Sequence, residues 1–263
     1  MARCCFAVPL TLLLLSVASA QNPPQSDPQA VSLATQAMAA LTNGTAVSDV
    51  TLTGNAAWIS GSDNETGAAT FRAKGTGESR MDLSLTGGNR TEIRNNTAHF
   101  PQGESISTDG SVNQWPLHNC WINANWFFPA LSALAATSDS SLIFTYVGLE
   151  NRGNGTVQHI QVYRYLSGQK ATLIALTQAV STENIYLDST SLLPVAFTYN
   201  THPDDDASTR ISVEIDFSNY KAVNGVQIPM HVQKFISGEL ALDIVLTRAV
   251  LNSGLSDGLF AVQ

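Results

Sequence analysis

The 263-residue chain has a formal charge of −8, and charged residues make up 13% of it. A carboxylate surplus with no block of consecutive Lys or Arg argues against an electrostatic nucleic-acid binder. Three cysteines, two of them at Cys4 and Cys5, give no disulfide framework, and the chain is long enough to build an ordinary core without one.

The chain opens with Arg3, an apolar run from Phe6 through Leu15 to Val17, and the small-residue triplet Ala18-Ser19-Ala20 before Gln21. This pattern predicts a secretory signal peptide over residues 1–20 with an A-x-A cleavage site, leaving residues 21–263 as one domain. As a helix the run reaches roughly 18 Å, short of the ~30 Å of a bilayer core. No later segment is apolar enough to span, so the expectation is a soluble exported protein, periplasmic or secreted, with no transmembrane segment. Cys4 and Cys5 precede the apolar run and are not placed to take a lipid anchor at the cleavage point. Asn43, Asn64, Asn89, Asn95 and Asn154 each begin an N-x-T triplet. In a chain this rich in Asn, Ser and Thr the triplets are read as composition rather than as glycan acceptors.

After a Pro-rich leader from Asn22 to Pro28, Val31, Ala34, Met38 and Leu41 have helical spacing, closed by Asn43-Gly44. Alternating strands follow at Val50 to Trp58 and Arg80 to Leu85, with turns at Gly61 to Asn64, Gly75 to Gly77 and Gly87 to Asn89. The pattern changes at Trp115. Trp121, Trp126, Phe127, Phe128, Leu131 and Leu134, with alanines between them, predict one helix over Asn119 to Ala136, or two broken near Pro129. Strands resume at Leu142 to Val147 and Val157 to Leu166. Residues 170–182 fit a helix by their apolar spacing and a strand by their Thr content. Strands at Asn184 to Asp188 and Pro194 to Tyr199 then lead into the clearest part of the sequence.

From Ile211 to Leu246 three antiparallel strands are legible. Ile211, Val213, Ile215 and Phe217 alternate with polar residues, and Asn224-Gly225 is a strong two-residue hairpin signal. Folding there sets Val223 against Val226, Phe217 against Val232 and Val213 against Ile236, so both apolar faces coincide. A two-residue turn at Ser237-Gly238 would throw Leu240, Leu242, Ile244 and Leu246 onto the opposite face. The expectation is therefore a three-residue loop, Ser237-Gly238-Glu239, with positive φ at Gly238 or its neighbour. Lys234 then falls on the apolar face beside Ile215 and Leu242.

Several of these segments carry a family resemblance. Tyr186-Leu187-Asp188, Leu193-Pro194-Val195, Phe217-Ser218-Asn219-Tyr220, Val223-Asn224-Gly225-Val226, Ile228-Pro229 and the closing Leu255 to Phe260 resemble the strand-turn-strand sequence of the bacterial periplasmic outer-membrane lipoprotein carriers and related envelope lipid-binding proteins. The similarity is clearest over residues 183–260. The resemblance implies an α+β fold: a strongly curved antiparallel sheet, an unclosed half-barrel, with helices covering its concave face and a cavity for acyl chains. Its implied ligand is a lipid or an acylated protein. Trp126, Phe127 and Leu131 would lie over the face carrying Ile211, Val213, Ile215 and Phe217, where core packing and a pocket wall have the same composition. Lys234 could meet a lipid phosphate or carboxylate at the cavity mouth, or simply extend to water.

Catalytic readings are weaker. His118 and Cys120 lie two apart, a spacing that does not bring them face to face on a helix. Asp204-Asp205-Asp206 lacks the Gly and distal Glu of an EF-hand and reads as a solvated loop. The histidines at 99, 118, 159, 202 and 231 are scattered, with no zinc signature, no G-x-S-x-G and no phosphate-binding glycine loop. The expectation is a binding protein rather than an enzyme, without metal or other cofactor. The alternatives are an envelope hydrolase with an unrecognised site and a packed β-domain acting through its surface.

Overall fold

A computed structural model describes residue 1 and residues 23–97, 100–153 and 155–263. Residues 2–20 of the expected signal segment, its expected cleavage point, His99 and Asn154 lie outside the described residues. Helix α1 (Pro28–Thr42) opens the domain. The Asp27 side chain accepts from the Gln29 amide, Pro28 occupies the first turn, and Asn43 ends the helix with φ 48°, the start and stop chemistry of a capped helix. Its buried face is Ala30, Leu33, Ala34, Ala37 and Leu41, whose small residues let the helix settle close on the sheet.

Six strands follow as a meander: β1 (Asp49–Ser60), β2 (Asp63–Lys74), β3 (Glu78–Leu85), β4 (Gly88–Asn95), β5 (Gln102–Ile106) and β6 (Val112–Gln114). Seven more are β7 (Leu142–Arg152), β8 (Gly155–Arg164), β9 (Glu183–Asp188), β10 (Pro194–Thr201), β11 (Ile211–Val223), β12 (Val226–Ile236) and β13 (Glu239–Leu251). They form one 13-stranded sheet in the order β6-β5-β4-β3-β2-β1-β13-β12-β11-β10-β9-β8-β7, with every neighbouring pair antiparallel. Chain order is thus broken once. Residues 115–141 carry the chain from one edge of the sheet, β6, to the other, β7, while the two meanders meet at the β1–β13 seam. The edges are not paired to each other, and the sheet is an unclosed half-barrel with α1 and the 115–141 strap packed inside it.

The strap departs from the helical expectation. It holds a four-residue helix, α2 (Leu117–Cys120), and two 3-10 turns, Pro129–Leu131 and Ala133–Ala136. Side-chain amides compete with helical bonding here. The Asn123 side chain accepts from the Asn125 amide at 3.0 Å, and the Asn125 side chain donates to the carbonyls of Gly75 (2.7 Å) and Leu131 (3.1 Å). Pro129 removes a further donor. The ambiguous stretch after Lys170 is a helix, α3 (Ala171–Ser181), which buries Thr177 and Val180 and leaves Leu173 and Leu176 exposed.

In the last meander Val223 pairs with Val226, Phe217 with Val232 and Val213 with Ile236, as the alternation requires. The next connection corrects the sequence reading. Ser237 and Gly238 have φ of 52° and 84°, the double positive φ of a two-residue hairpin turn that matches strand twist, and Ile236 faces Glu239. The odd residue sits in the strand instead. Phe235 faces Leu240 and Lys234 faces Leu242, leaving Ala241 as a bulge. That bulge restores the shared face, so Val232 opposes Ile244 and Lys234 lies between Ile215 and Leu242.

Candidate functional site

The strap places the predicted aromatic residues directly over the concave face. Trp126, Phe127, Leu131, Val213, Ile215 and Phe217 are all buried, in one cluster with α1. Ile211, at the start of β11, is half-buried. Phe71 of β2 packs against Phe127 and Trp126 with centroids 5.1 and 6.3 Å apart, and Phe197 against Phe217 at 4.8 Å, aromatic contacts that add to area burial.

Three of the predicted residues, Trp126, Val213 and Lys234, converge on a cavity of about 190 Å³, whose other lining residues include Glu92, Arg94 and Tyr199. The Lys234 ammonium stands 4.8 Å from the Trp126 ring centroid. Desolvation in this setting holds its pKa below the usual lysine value. Arg94 is 3% exposed and donates to the carbonyls of Cys120 (3.0 Å) and Ile122 (2.7 Å), so it pins the strap to β4. Burial likewise raises the Tyr199 phenol pKa. Two cations against one carboxylate give this cavity a positive lining.

A second space of about 350 Å³, which Ile122 also lines, lies between the strap, the β2–β3 turn with the end of β4, and β8–β9, where Trp121, Asn96, Val162, Arg164 and Glu183 line it. It adjoins, at Trp121, a third of about 460 Å³ reached past Phe100, Leu166 and Leu173. Arg164 is spoken for by Asp139 at 3.4 Å and by Ser141. Glu183 is 2% exposed, its Oε1 has no partner among the described residues, and burial pushes its pKa up to about 8. Glu183, Glu92 and Arg94 were not singled out by sequence reasoning. Glu183 had a readable signal, because it shares the parity of Ile185 and Leu187 and so had to face the interior.

The other chemically suggestive groups are occupied structurally. The Cys120 thiol is buried, which raises its pKa, and its Sγ lies 3.5 Å from the Pro116 carbonyl. His118 Nε2 is engaged with the Pro203 carbonyl at 3.0 Å. Asp206 accepts from Ser208 and Thr209 within its own turn. On the convex face His231 lies 2.6 Å from Asp243 and 3.2 Å from Ser218 across three strands. His159 repeats the pattern with Glu150 and Asn184 at 2.6 and 3.0 Å, which marks these as cross-strand polar ladders. No cluster of three or more His, Cys, Asp or Glu placed to hold a metal occurs among the described residues. Nor is any described helix long and apolar enough to cross a membrane.

No family model and no curated protein matches the sequence. Solved structures do match the fold. A structure named as an outer membrane lipoprotein-sorting protein domain from Vibrio parahaemolyticus superposes with TM-score 0.56 at 11% identity, covering 88% of this chain and 96% of that one. A LolA superfamily protein from Nitrosomonas europaea gives TM-score 0.50 at 9% identity, covering 89% and 97%. This chain has a LolA-type fold. A DUF1329 family protein from Desulfovibrio piger shares it too, with TM-score 0.57, 12% identity and coverage of 90% and 98%. The LolA-type likeness extends over nearly the whole of each neighbour and well beyond residues 183–260.

Proposed function

We propose that the protein is an exported carrier that holds a lipid or the acyl chain of a lipidated protein inside the half-barrel without changing it chemically. On this reading residues 1–20 are removed on export, residues 21–263 act as one domain, and the setting is the periplasm or the extracellular medium. The supporting observation is where the unfilled interior space lies. Three of the cavities border the 115–141 strap, a segment of short turns that covers the concave face without adding a strand to either sheet edge, while a fourth of about 280 Å³ lies away from it beside Thr198, Ser212 and Val213. An acyl chain would enter beneath the strap and rest on the face of Val213, Ile215 and Phe217, with Trp126, Phe127 and Leu131 above it. Ile211 would stand at the rim and Lys234 at the polar mouth. The LolA-type fold fits the same role.

The test is uptake of a fluorescent fatty acid by the purified mature protein, paired with a native mass spectrum for co-purified lipid. Val213 is 2% exposed and borders the Lys234 cavity, so Val213→Trp is expected to fill that space and weaken uptake at least tenfold in a folded protein. A parent protein with neither probe uptake nor bound lipid would remove this reading. The same substitution would then act as simple overpacking, costing about 1–3 kcal/mol.

A further inference from the structure

We propose that the groove between the strap and β8–β9 is a headgroup site for a primary ammonium, with Glu183 as the recognising carboxylate and the ligand's apolar part running past Trp121 toward Leu173. This deepens the acyl-binding reading and rests on it for the apolar part. Three side chains lining one groove carry polar atoms without partners among the described residues: Glu183 Oε1, Asn96 Oδ1 and Asn123 Nδ2. Buried polar atoms in folded proteins are rarely left unpaired, and each costs free energy. The amide orientations follow from their other bonds. Asn96 Nδ2 donates to the Cys120 and Ile122 carbonyls at 2.8 and 3.1 Å, and Asn123 Oδ1 accepts from the Asn125 amide, so the orphans are an amide oxygen and an amide nitrogen respectively.

Two of the three orphans are acceptors, and one of these belongs to an acid. A group with several N–H donors and a positive charge satisfies both, while the Asn123 amide could donate to an oxygen near the amine, as in an amino alcohol. The groove's own cation cannot fill this role, since Arg164 is held by Asp139 and Ser141. Arg94 is committed to strap carbonyls. The charged and titratable groups around Glu183 are Tyr199 opposite it on β10, Glu92 and Arg94 near Tyr199 on β4, and Tyr163 and Arg164 with Asp139 in the groove. Burial keeps the free Glu183 carboxyl protonated at pH 7. An arriving ammonium ionises it, and the carboxyl proton passes to solvent as the ion pair forms.

Calorimetry with dodecylammonium, dodecanol and dodecyltrimethylammonium, at pH 7 in two buffers of different ionisation heat, tests this on the intact mature protein. Dodecylammonium is expected to bind at least tenfold tighter than dodecanol or the trimethylammonium probe, with close to one proton released per molecule bound. Glu183→Gln should abolish both the preference and the proton release while dodecanol binding persists. Equal affinity for dodecylammonium and dodecanol, or binding without proton release, overturns the ammonium site and leaves the acyl reading standing. Failure of every probe to bind overturns both. The proton count needs only the parent protein, so the test does not depend on the variant folding.

Discussion

Glu183 is the residue whose environment conflicts most with its chemistry, and that conflict sets a pH dependence. Its carboxyl ionises near 4.5 when free of the fold and at about 8 within it. Between those values the folded protein holds a proton that the unfolded chain has lost, so the contribution of this group to stability is complete below pH 4.5, declines as pH rises and reaches its floor above 8. The loss is on the order of a few kcal/mol. Urea midpoints at pH 5 and pH 8 should therefore differ in the parent, and Glu183→Gln should shrink the difference to the smaller part that the raised Asp216 carboxyl contributes as pH rises to about 6, and be the more stable protein at pH 8. A parent midpoint that does not fall between the two values would show the carboxyl to be solvated. The alternation of Glu183 with Ile185 and Leu187 makes its burial legible from sequence. The meeting of Glu92 and Arg94 with Lys234 is not, because those residues lie in different meanders and are joined only by the curvature of the sheet.

At the scale of the element, the last meander shows what period and turn chemistry can specify. The face of Ile211 to Phe217 and the Asn224-Gly225 hairpin determine the β11–β12 register, since a slip of one residue would turn every apolar side chain outward. Parity also required one odd residue between Ile236 and Leu242. It could not say whether that residue sat in the loop or in the strand, and turn geometry decides: Ser237-Gly238 forms the tight hairpin and Ala241 bulges. Gly238 has φ 84° with open space where a Cβ would stand, so Gly238→Ala should cost about 1 kcal/mol through backbone strain alone. Thermal unfolding of that variant reads the cost directly, and no change would mean the turn relaxes into a longer loop. The strap was illegible for the opposite reason. Its apolar spacing is helical, but Asn123, Asn125 and Ser132 spend their side chains on backbone groups, and periodicity carries no trace of those bonds.

Over the whole molecule, the sheet is two meanders held together at one seam, with the strap crossing between their outer edges. The β1–β13 ladder contains a shift between Thr53 and Gly54, and the backbones approach so closely there that a Cβ on Gly54 would fall on the Val245 carbonyl oxygen and 2.7 Å from the Leu246 Cα. Only glycine fits. Neighbouring Leu52 and Ala56 on β1, with Ile244 and Leu246 on β13, belong to the same buried cluster as the strap aromatics, so opening the seam exposes the interior from behind. Gly54→Ala should thus act on the fold as a unit. The expected loss is about 3 kcal/mol or more, because rigid backbone rather than a movable side chain must give way. The urea midpoint should fall with the slope unchanged if the meanders unfold together. A shallower slope, or two separate transitions, would show that the halves are independent and that the 115–141 strap, rather than the seam, holds them as one body.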